Sequence, residues 1–289
     1  MMNFKGAGTA LITPFKSDLT IDFDALTRIV NHQIENGTNY LVALGTTGES
    51  ATLSAQEKRD VMDCIIQANG NRVPLVIGIG GNHTQAVIEQ IQSTNFDGFS
   101  ALLSVSPYYN KPNQNGIIAH YKSIADHSPL PVILYNVPGR TGSNMSATTQ
   151  LELASHPNIV ATKEASGNME QIMEIIMNKP TDFHVISGDD ALTFPMMAIG
   201  ASGVISVINH AFPSTFSGMV NDALEGRWNE AKSKHYQILK ASQKIFEDGS
   251  PGGIKVMLNQ MGLCETHLRA PLFPVNSTLE NELRQLVVG

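Results

Sequence analysis

Eight short apolar runs constrain this fold more than any other feature of the chain. They are "GTALITPF" from Gly8, "YLVALGT" from Tyr40, "PLVIGIG" from Pro74, "FSALLSVSP" from Phe99, "PVILYNVP" from Pro131, "IVATKEAS" from Ile159, "FHVISGDD" from Phe183 and "GVISVI" from Gly203, with successive starts 20 to 34 residues apart. Most are apolar at consecutive positions, the pattern of parallel strands covered on both faces.

Helical patterns with readable ends fill the gaps. In "SAQEKRDVMDCIIQANG", Ser54 and Glu57 form an S-x-x-E capping box, Val61, Met62, Ile65 and Ile66 make an apolar stripe, and Gly70 stands at the C-cap. "DFDALTRIVNHQIENG" carries Leu26, Ile29, Val30 and Ile34 and ends at Gly37, while "NMEQIMEIIMNKP" stops before Pro180 and its Met-rich face reads as core. Strand and helix alternating eight times without a long linker predict an α/β protein, a (β/α)8 TIM barrel. A doubly wound open sheet is the rival, but it does not require eight evenly sized units. At 289 residues, one or two domains are open. After residue 208 the strand-like runs stop, so we expect a barrel over 1–208 carrying the active site and an all-helical C-terminal extension over 209–289 packed on it.

Charge and composition exclude several functions. The net charge of -7, with no cluster of Lys and Arg, argues against nucleic-acid binding. No uncharged apolar run approaches about 18 residues, so no membrane partner is expected, and "MMNFKGAGTALITPF" lacks the pattern of a secretory leader. Cys64 and Cys264 form no CxxC and read as buried thiols in a reducing cytoplasm. The nine histidines show no metal-binding spacing, and "GIGG" at 78–81 is a poor dinucleotide fingerprint, so neither a metal nor an organic cofactor is expected.

The chemistry is expected at the C-terminal ends of the strands, where α/β barrels carry their active sites. Those ends read "GTTGE", "SPYYNKP", "LYNVPGRTG", "TKEAS" and "SGDD". The unusual member is Lys163, a cation inside an apolar strand. Burial disfavours the charged form of an amine, and a neutral amine attacks carbonyl carbon to give a Schiff base. The competing reading pairs Lys163 with Glu164 or lets its stem reach the surface, and strand parity alone does not say which face points inward. Tyr135, at a neighbouring strand end, can move protons for such chemistry. The hydroxyls and amides of "GTTG" can nest a carboxylate, and Arg140 in "GRTG" can grip a second one.

Together "GTTGES", "SPYYNKP", "YNVPGRTG" and "TKEASG" resemble, in this order and spacing, the dihydrodipicolinate synthase family, class I pyruvate aldolases of the N-acetylneuraminate lyase superfamily, over nearly the whole chain. The resemblance implies condensation of pyruvate with aspartate 4-semialdehyde, with Lys163 as the imine-forming residue and Tyr135, Thr46 and Tyr109 as a proton relay. Tyr109 would reach the active site of a neighbouring subunit in a homotetramer, a dimer of dimers. Thr47 would hold the pyruvate carboxylate and Arg140 that of the semialdehyde, with Gly188 and the Ile205 carbonyl completing the pocket. A sister pyruvate aldolase would share the lysine and tyrosine but generally lacks this arginine. A non-catalytic keto-acid-binding barrel remains the reading of another class. In lysine-inhibited relatives, two histidines and a glutamate are expected where this chain has Ala55, Lys58 and Ala86, although Ser50, Ala51, Asn82 and Tyr108 match. Weak or absent inhibition by lysine follows.

Overall fold

A computed structural model of the protein describes residues 4–288. Eight parallel strands close into a barrel in chain order. They are β1 (Gly6–Ala10), β2 (Tyr40–Ala43), β3 (Leu75–Gly78), β4 (Ala101–Val105), β5 (Val132–Asn136), β6 (Ile159–Glu164), β7 (His184–Ser187) and β8 (Gly203–Ser206). Seven of the eight apolar runs contain one of these strands whole, and β1 begins two residues before its run and overlaps it at residues 8–10.

The helices between strands are α1 (Phe23–Glu35), α2 (Ala55–Asn69), α3 (Thr84–Ser93), α4 (Gln114–His127), α5 (Pro138–Thr141), α6 (Ala147–Ala154), α7 (Met169–Asn178) and α8 (Thr193–Ala198). After β8 come α9 (Pro213–Leu224), α10 (Trp228–Lys244), α11 (Gly252–Gln260) and α12 (Ser277–Val288). The capping box of α2 forms as the sequence requires: Ser54 Oγ accepts from the Glu57 amide, the Glu57 carboxylate accepts from the Ser54 amide, and Gly70 caps the C-terminus in the left-handed region. Asp22 and Asn168 cap α1 and α7 in the same way, each side chain accepting from the amide three residues on. Helix α1 stops at Glu35, with Asn36 as its C-cap, two residues before the expected Gly37.

The Met-rich face of α7 corrects the sequence reading. Ile172 and Ile175 are the buried stripe, whereas Met173 and Met177 are 45% and 77% exposed. The apolar residues cover more of the helix circumference than the barrel can bury, and the β-branched isoleucines take the inner side. Cys264 is buried, but Cys64 is only half-buried, and both are free thiols.

Residue contacts divide the chain into two compact units. One is built from Leu75–Ile205, the other from Gly6–Pro74 with the stretch beginning at Ser206. In the first, the core lies in residues such as Ile133, Leu134, Ala161, Val185 and Ile186, all fully buried. Burying each large aliphatic side chain contributes roughly 1.5 to 3 kcal/mol. In the second, Leu26, Ile29, Leu41, Val42 and Met257 do the same.

Candidate active site

The first unit carries Lys163. Its strand, β6, pairs in register with β5 and β7 so that Lys163 lies beside Tyr135 on one side and Ile186 on the other. Side chains alternate along a strand and partners in register share a face. The residues flanking Lys163 face the helices: Thr162 Oγ1 donates to Gln150 Oε1 of α6 at 2.7 Å, and Glu164 accepts from Gln150 Nε2 at 3.0 Å. Lys163 therefore faces the barrel interior. That decides the question strand parity left open, and it removes Glu164 as the partner of Lys163.

Tyr135 shares the face. Lys163 Nζ lies 4.3 Å from the centre of the Tyr135 ring, and the two residues are only 6% and 8% exposed. The strand end behind Tyr135 is braced by Tyr121, whose hydroxyl donates to the Ser104 carbonyl at 2.8 Å. Burial pushes the Tyr121 phenol upward, so this hydroxyl stays a donor.

The turn after β7 is shaped around the lysine stem. A Cβ on Gly188 would lie 2.7 Å from Ala165 Cβ and 3.0 Å from Lys163 Cε, so the close approach requires glycine. Ile205 is buried within β8. Arg140 was expected on a loop and stands in the single helical turn of α5, exposed to solvent. Gly142 ends that turn at φ +69°, and a Cβ there would meet Lys111 Cε at 2.9 Å. Tyr109, on the loop after β4, is 88% exposed and has φ 71°, a left-handed conformation rare for an aromatic residue.

The second unit carries the threonines. Thr46 and Thr47 begin a single 3-10 turn, Thr46–Gly48, in the loop after β2; Thr46 is exposed and Thr47 buried. Three bonds hold the turn: the Gly48 amide donates to the Gly45 carbonyl at 3.0 Å, the Glu49 amide to the Thr46 carbonyl at 3.1 Å, and Thr13 Oγ1 to the Gly48 carbonyl at 2.6 Å.

Sequence reasoning missed what anchors this turn. Glu49 adopts φ 51°, and its carboxylate is buried, accepting from Lys255 Nζ at 2.5 Å and from the Arg269 amide at 3.1 Å. Lys255 also donates to the His267 carbonyl at 2.8 Å and sits 4.4 Å from the Phe15 ring centre. Burial lowers the Lys255 ammonium below its ordinary range, with Glu49 opposing that shift. The available signal was a lone lysine in the apolar stretch "GGIKVML", the same kind of signal that marked Lys163. Among the described residues, no group of three or more His, Cys, Asp or Glu side chains is placed to hold a metal ion, and no helix is long and apolar enough to cross a membrane.

Comparison with known proteins identifies the family of the chain. The profile of the dihydrodipicolinate synthetase family matches residues 3–288. A 4-hydroxy-tetrahydrodipicolinate synthase of Flavobacterium psychrophilum is 52% identical over 284 residues, covering 98% of this chain and 97% of its own. One of Parabacteroides distasonis is 50% identical over 287 residues, covering 99% and 97%. Among solved structures, the dihydrodipicolinate synthase of Aquifex aeolicus superimposes with a TM-score of 0.94 at 38% identity, covering 99% of this chain and 97% of that one.

Proposed function

The chain belongs to the dihydrodipicolinate synthetase family, and from that premise we propose that it condenses pyruvate with aspartate 4-semialdehyde to 4-hydroxy-tetrahydrodipicolinate, toward diaminopimelate and lysine. The observation that carries this reading is Lys163, turned into the barrel beside Tyr135 with its Nζ 4.3 Å from the ring centre.

Lys163 Nζ attacks the pyruvate ketone carbon, and the carbonyl oxygen leaves as water. The resulting protonated imine is the electron sink, so the pyruvate methyl group can lose a proton and form the enamine. Tyr135 moves protons at this centre, with Thr46 and Tyr109 completing the relay. Thr47 and the amides of its turn hold the pyruvate carboxylate, where N–H and O–H donors favour an anion. The enamine carbon attacks the aldehyde, whose distal carboxylate is held by Arg140. The amino group of the semialdehyde then displaces Lys163 by transimination and closes the ring.

Gly188 gives the lysine stem room, and the Ile205 carbonyl lines the same pocket. The 88% exposure of Tyr109 leaves it available to a neighbouring subunit, in keeping with a homotetramer built as a dimer of dimers. We place the enzyme in the cytoplasm on the same reading.

The test is steady-state turnover of pyruvate with aspartate 4-semialdehyde, coupled to the NADPH-dependent reductase step. We expect robust turnover with the semialdehyde and none with N-acetylmannosamine. Pyruvate consumption with the sugar alone would keep the Lys163 chemistry and move the chain to a sister aldolase.

A further inference from the structure

On the helix side of β5 and β6 lies a buried polar cluster that the reaction scheme leaves unused. Its centre is Glu164, which is fully buried. Glu164 Oε1 accepts from Asn136 Nδ2 at 2.8 Å and from the Ser166 amide at 3.2 Å; Oε2 accepts from Gln150 Nε2 at 3.0 Å and from Gln171 Nε2 at 3.1 Å. The four donors come from β5, the turn after β6, α6 and α7. All are N–H groups, which fit an ionised carboxylate because a carboxyl proton would find no acceptor among them. None of the four is a cation.

The cluster grips the segments on which the candidate residues sit. Glu164 follows Lys163 and Asn136 follows Tyr135, so the Asn136–Glu164 bond locks the two strand ends in the register that sets lysine beside tyrosine. Asn136 Oδ1 also accepts from the Met145 amide at 3.0 Å, and Asn136 Nδ2 donates to Asn144 Oδ1 at 2.9 Å. Asn144 Nδ2 in turn donates to Gln171 Oε1 at 2.8 Å. These bonds tie down the segment that follows the Arg140 turn.

A buried carboxylate is ordinarily paired with a cation. Here neutral amides satisfy the hydrogen-bonding capacity of Glu164 without cancelling its charge, which lies on the helix side of β6, across the strand from the face that carries Lys163. We propose that Glu164 is a positioning residue for the imine step, fixing Lys163 against Tyr135 and supplying the negative charge that favours the cationic imine over the neutral amine. In that step the lysine nitrogen forms a double bond to the ketone carbon. The C=O bond breaks, and the oxygen leaves as water carrying one amine proton and one proton from solution. One positive charge appears at Nζ, and Glu164 stabilises it.

Other titratable groups on the packed elements are Tyr135 on β5, Glu152 on α6, Glu170 and Glu174 on α7, His184 on β7, and Asp189 and Asp190 after it. Glu152 is exposed and paired with Lys122, and Glu170 and Glu174 are exposed. Asp189 is engaged by the amides of Ala191 and Leu192, Asp190 is buried, and His184 bonds Ser202 at the far end of its strand.

This inference rests on Lys163 forming the imine, and the experiment separates the two. Borohydride trapping is titrated with pyruvate in the full-length protein and read by intact mass, for wild type, Glu164→Gln and Gln171→Lys. The first variant removes the charge; the second hands Glu164 a cation while keeping the carboxylate. We expect half-saturating pyruvate to rise about tenfold in each, with a smaller fall in the maximal rate. Unchanged half-saturation in both variants would overturn the inference, as would a fall in rate alone, which marks a merely structural glutamate. If Glu164→Gln fails to give a cooperative melt, Gln171→Lys decides. No adduct on the wild type would instead sink the imine reading itself.

Discussion

Among the described residues two lysines are buried, and each has a buried glutamate nearby, but the two regions use them in opposite ways. Lys255 meets Glu49 directly, at 2.5 Å, and also donates to the His267 carbonyl. Lys163 faces away from Glu164, whose oxygens are occupied by amides. A lysine locked to a carboxylate has its charge balanced and its donors engaged; a lysine denied that partner keeps its nitrogen available. The difference fits structural work at Lys255 and the chemistry proposed for Lys163, although sequence context alone makes them look alike.

The strongest way to break this comparison is Lys255→Met. Removing one partner of a buried pair leaves the other charge uncompensated, which costs about 3 to 5 kcal/mol. A denaturant melt should show that loss, and Glu49→Gln combined with Lys255→Met should recover most of it. Equal destabilisation by the single and double variants would mean that the pair is not what holds the turn.

Arg140→Ala sharpens the other half. The proposed carboxylate contact is a charge-assisted one, worth about 1.5 to 3 kcal/mol. The KM for the semialdehyde should rise roughly tenfold to a hundredfold, while pyruvate trapping at Lys163 stays as in wild type. A variant with normal semialdehyde kinetics would refute the assignment of Arg140.

A smaller effect is expected beside the Glu49 turn. Arg269 bonds Glu57 and holds its carboxyl down at about 2, against an ordinary 4.5. A depressed carboxyl contributes stability that is fully present above its unfolded value and is lost as pH falls through the folded one. Glu57→Gln should therefore melt below wild type at pH 7, with the gap closing as the pH approaches 2. A gap independent of pH would point to the helix cap alone.

The smallest expected effect is that of free lysine on the rate. With Ala55, Lys58 and Ala86 where the family resemblance leads one to expect two histidines and a glutamate, lysine at physiological concentration should inhibit weakly or not at all. Marked inhibition of the initial rate at physiological lysine would show that the matching positions Ser50, Ala51, Asn82 and Tyr108 suffice.

Local signals in the sequence were enough for the barrel. Consecutive apolar positions marked each strand, and the Ser54–Glu57 capping box marked a helix start, because both patterns are set by residues within a few positions of one another. Lys163 was legible for the same reason, as a cation in an apolar run. What escaped was decided at long range. Glu49 and Lys255 are 206 residues apart in sequence, and Asn136 and Glu164 are 28 apart. No local pattern announces such pairs. Met173 and Met177 misled because hydrophobicity says that a side chain can be buried, whereas the room available in the neighbouring structure decides whether it is.

Peptide mapping after borohydride reduction in the presence of pyruvate tests the central contrast most directly. The account predicts a single reduced pyruvate adduct on the peptide carrying Lys163, absent from Lys163→Ala and never on Lys255. An adduct on Lys255, or an unmodified Lys163 in a protein that still turns over its substrates, would contradict it.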